Sequence, residues 1–280
     1  METALHKESK GGCLQLINAA VLGSPIAHSL SPLLHAKAYQ LLDIEGTYEA
    51  IEVRSGELAS FLSSTDKKCL SLTMPLKEEA LSLADNSSSL SQRISSGNTL
   101  TCEDGTWSLT STDVAGFEYS LKSQQIGALD TVMVLGAGAT ARAAVSYLST
   151  VAKKIHVVSR NAQREASMNK ASDTPIDYLP WEPTSKINEV DLVVNTAPGD
   201  AAGSFLSSIN SPRGALFEVL YHPWPTELAR TWAASDQLVV DGLELLIHQA
   251  ISQIEIFSGV VLDRTFLYAH LRKAALIQLT

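Results

Sequence analysis

Cysteine is scarce in this chain, and the three that occur stand apart. Cys13, Cys69 and Cys102 show no C-x-x-C spacing, so neither a disulfide framework nor a zinc site is expected, and the chain fits a reducing cytoplasm. Long apolar runs are missing too. Nothing approaches the roughly 18 residues a membrane span requires. Glu2 and Glu8 at the start, and Gln15 and Asn18 within the apolar stretch that follows, make a poor signal peptide, and residues 1–12 read as a loose tail. No Lys/Arg cluster interrupts a net charge of −9, which argues against nucleic acid as a partner, since that requires a basic face. Seven histidines are present, but no pair has metal-ligand spacing, and no metal is expected. There is no internal repeat and no low-complexity linker. What is left is an ordinary globular composition, 45% hydrophobic and 18% charged over 280 residues, long enough for two domains with a cleft between them.

The organising stretch runs from Thr131 to Arg164. An apolar run over residues 131–135 leads into Gly136-Ala137-Gly138-Ala139-Thr140-Ala141-Arg142, then an alanine-rich segment, then a second apolar run over residues 155–158. This order predicts strand, glycine turn, helix and strand, the first unit of a dinucleotide-binding domain. Gly136 allows the tight turn, Gly138 lets a pyrophosphate approach the backbone, and Ala141 fills the third small position. The helix N-terminus beyond offers free N–H groups and partial positive charge to phosphate. A small-residue turn in any α/β sheet is the bland alternative. At the end of the second strand a carboxylate is missing. Ser159-Arg160 stands there instead, with Arg164 close behind. Two guanidinium groups suit a ribose 2′-phosphate, so NADP is favoured over NAD; surface arginines on a solvated helix start are the alternative.

Before this unit, strands are expected over residues 14–22, 47–53 and 70–73, with helices over 33–42 and 57–63 and another beginning at Pro75. Ser31 is the expected N-cap, with Pro32 at the first helical position. Residues 98–102 and 107–110 alternate as a hairpin around Glu103-Asp104-Gly105, and residues 113–121 read as helix. After the arginines, residues 192–194, 215–219 and 238–240 read as buried strands, and residues 243–258 and 262–279 as apolar helices. Strands alternating with helices imply α/β architecture with a mainly parallel sheet. Lys77, after a strand and a proline turn, and Asp113, at the hand-over from hairpin to helix, are candidate proton-transfer groups. Each is equally compatible with a solvated helix residue or a helix-start carboxylate. His28, in a serine-rich loop, is open to a role as a hydrogen-bonded structural histidine.

Seen whole, the sequence resembles the shikimate dehydrogenase family along nearly its full length. The signature G-x-P-I-x-H-S-x-S-P-x-x-H is met from Gly23 to His35. N-V-T-x-P-x-K is met at Thr73, Pro75 and Lys77, with Ser71 and Leu72 departing. A-x-N-T falls on residues 96–99 and N-T-D-x-x-G on residues 111–116, with Ser111 departing. N-R-T-x-x-R corresponds to residues 159–164, Y-x-P-x-x-T to Tyr221–Thr226, and G-x-x-M-L-x-x-Q to Gly242–Gln249. The run after Thr196, and Glu218 in place of an aspartate, also depart.

The resemblance implies a two-domain α/β fold, with an N-terminal substrate domain, a Rossmann-like NADP domain, and C-terminal helices returning to the first. The division would be 1–112 with 243–280, and 113–242. It implies that Ser29 and Ser31 bind the substrate carboxylate, that Thr73, Asn98 and Gln249 hold ring hydroxyls, and that Tyr221 lies near the substrate. Lys77 and Asp113 would be the catalytic pair. Gly136, Ala137, Gly138, Ala139, Thr140, Ser159, Arg160 and Arg164 would bind the cofactor, and Val219 and Gly242 would line the nicotinamide pocket. The expected activity is NADPH-dependent, reversible reduction of 3-dehydroshikimate to shikimate, by a cytoplasmic monomer or homodimer. Rivals are an NAD-dependent quinate/shikimate dehydrogenase, a non-catalytic ligand-binding homologue, and a methylenetetrahydrofolate dehydrogenase-like enzyme.

Overall fold

The computed structural model describes residues 16–279. The expected tail over residues 1–12, Cys13, and the first two residues of the expected opening strand lie outside the described residues.

The first sheet grows from β1 (Ile17–Gly23), α1 (Ser31–Leu42), β2 (Gly46–Glu52), α2 (Leu58–Ser64), β3 (Cys69–Leu72), α3 (Leu76–Glu79), β4 (Asn86–Ser87), α4 (Ser89–Arg93), β5 (Thr99–Glu103) and β6 (Thr106–Thr110). Its order is β2-β1-β3-β5-β6-β4. β5 runs antiparallel to β3 and β6, while the pairs β1–β2, β1–β3 and β4–β6 are parallel. The sheet is therefore mainly parallel, with one strand reversed by the expected hairpin. Asp104 and Gly105 link its arms, both at positive φ (48° and 81°), as a two-residue turn matching strand twist requires.

α5 (Asp113–Ser123) then leads into β7 (Leu129–Leu135), α6 (Ala139–Leu148), β8 (Ala152–Val158), α7 (Glu165–Ala171), β9 (Ile176–Leu179), β10 (Leu192–Asn195), β11 (Ala215–Glu218), α8 (Glu227–Ala233) and β12 (Val239–Val240). This second sheet is ordered β12-β11-β10-β7-β8-β9 and every neighbouring pair is parallel. That is a doubly wound sheet whose strand order reverses between β7 and β10, and ligands bind at such a switch point. The period-two rule assigns its two faces. Val132 and Val134 join Ala141, Ala144 and Val145 of α6 in one core, while Met133 and Leu135 join Phe205 and Trp232 in another.

α9 (Gly242–Ser258) and α10 (Arg264–Leu279) return to the first sheet. Ile247, Ile251 and Ile254 of α9 and Leu267 and Leu271 of α10 bury themselves with Ala19, Leu34 and Ala38, each large aliphatic contributing about 1.5–3 kcal/mol. Gly259 ends α9 at φ 67°, the left-handed position that favours glycine. α5 and α9 cross at Gly116, where an added Cβ would lie 2.8 Å from Leu245 and 3.2 Å from Gln249 Cβ.

Three expectations need correction. Ser31 is not an N-cap: Leu30 already has helical dihedrals (φ −83°, ψ −6°) and no side chain caps the helix, so Ser31 is the first helical residue. The helix expected from Pro75 is four residues long and tightens into a 3₁₀ turn over Ala80–Ser82; just beyond it the chain is tied to the hairpin, where Asp85 accepts from the Trp107 N–H at 2.8 Å. The last helix begins at Arg264 rather than Leu262: Val261 is 92% exposed and the Phe266 N–H is capped by Asp263 at 3.0 Å.

Candidate active site

Asp113 is the first residue of α5, and Lys77 lies on α3, beyond the end of β3. The fold brings them together: Lys77 Nζ donates to Asp113 Oδ2 at 2.6 Å, with side chains 16% and 7% exposed. The other carboxylate oxygen, Oδ1, accepts from Asn98 Nδ2 at 2.9 Å. Asn98 Nδ2 also reaches Gln249 Oε1 at 3.2 Å, 151 residues away in sequence. Asn98 Oδ1 accepts from the Thr112 N–H and the Thr99 hydroxyl, both at 2.8 Å. With the oxygen so occupied, the amide has one workable orientation, and its N–H groups must face Asp113.

Behind Asn98 lies a layer not found by local sequence reasoning. Gln253, one helical turn beyond Gln249, donates to the Asn98 carbonyl and to Thr99 Oγ1, each at 3.0 Å. Its own oxygen accepts from Ser71 Oγ at 2.8 Å, and Ser71 accepts from Tyr48 OH at 2.7 Å. His35 stacks on Tyr48 with ring centroids 3.8 Å apart. Ser71 departs from the family asparagine, yet it is the middle link of this chain. Burial pushes the Tyr48 hydroxyl well above its ordinary range, against hydrogen bonds with Ser71 and Ser31 that pull it down. Burial likewise pushes His35 down to about 3, so its ring stays neutral. The i, i+4 spacing of Gln249 and Gln253 is the one local signal that could have marked the second amide.

The hydroxyl loop occupies one wall. The Ser31 N–H donates to Ser29 Oγ at 3.3 Å, and Tyr221 is hydrogen-bonded to the Leu30 backbone. His28 is exposed and stacks on His222 with ring centroids 6.3 Å apart. Thr73, just past β3, packs against Gly23, where any Cβ would lie 2.4 Å from its methyl group.

On the nucleotide side, Gly136 has φ +111°, and an added Cβ would lie 2.6 Å from Thr196 Oγ1; both facts demand glycine. Around Gly138 nothing lies within 4 Å of a Cβ position, leaving room for a ligand against the backbone. Ala139 and Thr140 open α6, so its unpaired N–H groups face the turn. Gly242 is forced by Val219, whose carbonyl oxygen would lie 2.0 Å from an added Cβ. Ser159 Oγ accepts from the Asn161 N–H at 3.1 Å. The two arginines part company. Arg160 is exposed and lies over the Trp181 ring at 5.2 Å. Arg164 donates to Glu78 Oε1 at 2.8 Å. Glu78 and its second partner Arg142 had no place in the sequence reading.

Glu218 also gains an account. It is fully buried, and its carboxylate accepts from Asn195 Nδ2 at 3.0 Å, Thr226 Oγ1 at 3.1 Å and the Leu220 N–H at 3.2 Å. It therefore ties the end of β10 to the 219–226 loop, which carries Val219 and Tyr221. Burial raises its carboxyl above the ordinary range, partly offset by those hydrogen bonds. Among the described residues no group of three or more His, Cys, Asp or Glu could hold a metal, and no helix is long and apolar enough to cross a membrane.

Comparison with known proteins matches this architecture. Residues 21–100 match the family described as the shikimate dehydrogenase substrate binding domain. The shikimate dehydrogenase (NADP(+)) of Ignicoccus hospitalis is 31% identical over 245 residues, covering 86% of this chain and 92% of that protein. The Mycobacterium tuberculosis shikimate dehydrogenase structure superimposes with a TM-score of 0.82 at 32% identity, covering 92% of this chain and 99% of the other. A Thermus thermophilus shikimate 5-dehydrogenase, solved in complex with NADP(H) and shikimate, gives 0.80 at 30% identity, covering 92% and 100%.

Proposed function

The chain belongs to the shikimate dehydrogenase family, and we propose that it catalyses the reversible, NADPH-dependent reduction of 3-dehydroshikimate to shikimate. The observation that carries the assignment is the Lys77–Asp113 ion pair, buried beside Asn98 and Gln249.

The residues present fit the cofactor. The Gly136 turn, the open backbone at Gly138 and the N-terminus of α6 suit a pyrophosphate, and Arg160 and Arg164 suit a 2′-phosphate. NADPH, when bound, supplies the hydride. The protein's part is to bind, orient and handle the proton. Ser29 and Ser31 take the substrate carboxylate, and Thr73, Asn98, Gln249 and Tyr221 take its hydroxyls. Hydrogen-bonding walls of this kind reject analogues that lack a hydroxyl, because the buried groups are then left unpaired. The Lys77 ammonium faces the carbonyl oxygen and stabilises the charge that develops there. Asp113, held by Asn98 on one oxygen and Lys77 on the other, keeps the ammonium in place and takes part in proton transfer. Val219 and Gly242 line the nicotinamide pocket. The substrate domain comprises 1–112 with 243–280 and the cofactor domain 113–242, a division supported by the two separate sheets, and the enzyme is cytoplasmic.

The test is nicotinamide absorbance with purified protein and shikimate, offering NADP and NAD in parallel, then quinate. Fast reduction of NADP with shikimate alone is expected. Preference for NAD, or comparable quinate oxidation, would move the assignment to a quinate/shikimate dehydrogenase; no turnover despite ligand binding would indicate a non-catalytic homologue.

A further inference from the structure

Glu78 follows Lys77 directly, yet it serves the other half of the molecule. Its Oε1 accepts from Arg142 Nη2 and from Arg164 Nη1, each at 2.8 Å. The two arginines differ in how much they depend on it. Arg142 is 2% exposed and has other acceptors: Ile94 O at 2.6 Å, Ser95 O at 3.2 Å and Ala137 O at 3.4 Å. It is a fixed bolt between the sheets. Arg164 has one further acceptor, Ala137 O at 3.4 Å, and its side chain is 40% exposed. Beside them opens a cavity of about 310 Å³ whose lining includes Glu78, Ser95, Arg142, Asn161, Gln163 and Arg164. Two guanidinium groups and one carboxylate leave this cavity with a net positive charge. Burial alone would raise the Glu78 carboxyl, but hydrogen bonds and charge from Arg142 and Arg164 hold it below its ordinary range.

We propose that Glu78 sets cofactor selectivity by occupying Arg164 in place of the 2′-phosphate, and that the phosphate must take this arginine from it. The proposal rests on the reading of Arg164 as a 2′-phosphate ligand and adds an internal competitor to it. A carboxylate seated on Arg164 ties up the ligand that the phosphate needs. Glu78 therefore weakens binding of the phosphorylated cofactor and leaves one lacking the phosphate untouched. Its position next to Lys77 on α3 means that the residue surrendering Arg164 belongs to the same short helix as the proposed catalytic lysine.

Calorimetric titration of adenosine 2′-monophosphate and adenosine 5′-monophosphate into the full chain tests this without turnover. In Glu78→Gln the 2′-monophosphate should bind roughly twofold to fivefold tighter, the scale of a partly exposed ion pair, with the 5′-monophosphate unchanged. In an Arg164→Ala background the same substitution should produce no gain, since the competed ligand is gone. Should Glu78→Gln fail to fold, Glu78→Asp retains the charge but draws it back by one methylene, and a smaller gain of the same sign is expected. An unmoved or reduced 2′-over-5′ preference overturns the proposal, as does a gain that persists without Arg164. A wild-type protein with no preference for the 2′-monophosphate overturns the NADP reading as well, so the two failures are told apart.

Discussion

The Lys77–Asp113 cluster and the rim that carries Arg160 and Arg164 solve the same problem, holding charged side chains ready, by opposite means. Around Asp113 each polar atom has a fixed partner: Lys77, Asn98, Thr112, Gln249 and, behind them, Gln253, Ser71 and Tyr48. At the rim, Arg160 rests on the face of Trp181 and Arg164 on one carboxylate oxygen. Buried polar groups are costly unless fully paired, so the cluster can hold essentially one arrangement. Exposed arginines lose little by changing partner, so the rim can exchange ligands. On the proposed reading, rigidity sits where bonds are remade, and adaptability where a large cofactor enters and leaves.

The contrast can be broken most directly at Lys77. Lys77→Ala should lower kcat by about 10²- to 10⁴-fold, the usual scale of acid–base assistance, with a smaller change in shikimate KM; steady-state rates giving near-normal turnover would remove Lys77 from the mechanism. Next is the layer behind the site. Gln253→Leu takes the donor from Thr99 Oγ1 and the acceptor from the Ser71 hydroxyl, while the Asn98 carbonyl keeps the Leu72 N–H, and should cost about 1–3 kcal/mol in denaturant unfolding, together with lower turnover; an unchanged midpoint would mean water replaces the amide at no cost.

Acid should strain the buried half as well. Burial depresses His35 to about 3, and burial followed by the charge of Arg264 depresses His248 to about 4. A group whose folded value lies below its unfolded value gives stability that is complete above the unfolded value and lost as pH falls. Melting temperature should therefore hold above about pH 6.5 and drop steadily towards pH 4, and a flat profile would show that these rings are not held neutral. The smallest effect is expected at the rim: Arg160→Ala should raise the NADP KM by roughly twofold to fivefold and leave that for shikimate unchanged, as parallel titrations of the two substrates would show.

The parts legible in the sequence were those with local causes. The glycine turn, the Asp104-Gly105 hairpin and the alternation of buried strands each follow from residues within one short window. The resemblance gave the fold and the return of the C-terminal helices. What local pattern could not give is what chain crossing creates. Glu78 and Arg142 are 64 residues apart and Ser71 and Gln253 are 182 apart, and no periodicity links them. Ser31-Pro32 matches the capping rule, but Leu30 already has helical dihedrals and nothing caps the helix, so the residue pair alone places the start one residue late. The edge strand β9 was missed because four residues carry too little alternation to stand out beside the long apolar runs.

The crossing at Gly116 carries one more consequence. α5 starts with Asp113, and α9 carries Gln249, whose Cβ would lie 3.2 Å from a side chain added to Gly116. The joint between the two sheets is thus also a wall of the candidate active site. A side chain larger than hydrogen at this point would press on both helices at once, parting the two halves and pushing Gln249 away from its hydrogen bond with Asn98. The seam of the architecture and the alignment of the polar cluster therefore cannot be altered independently.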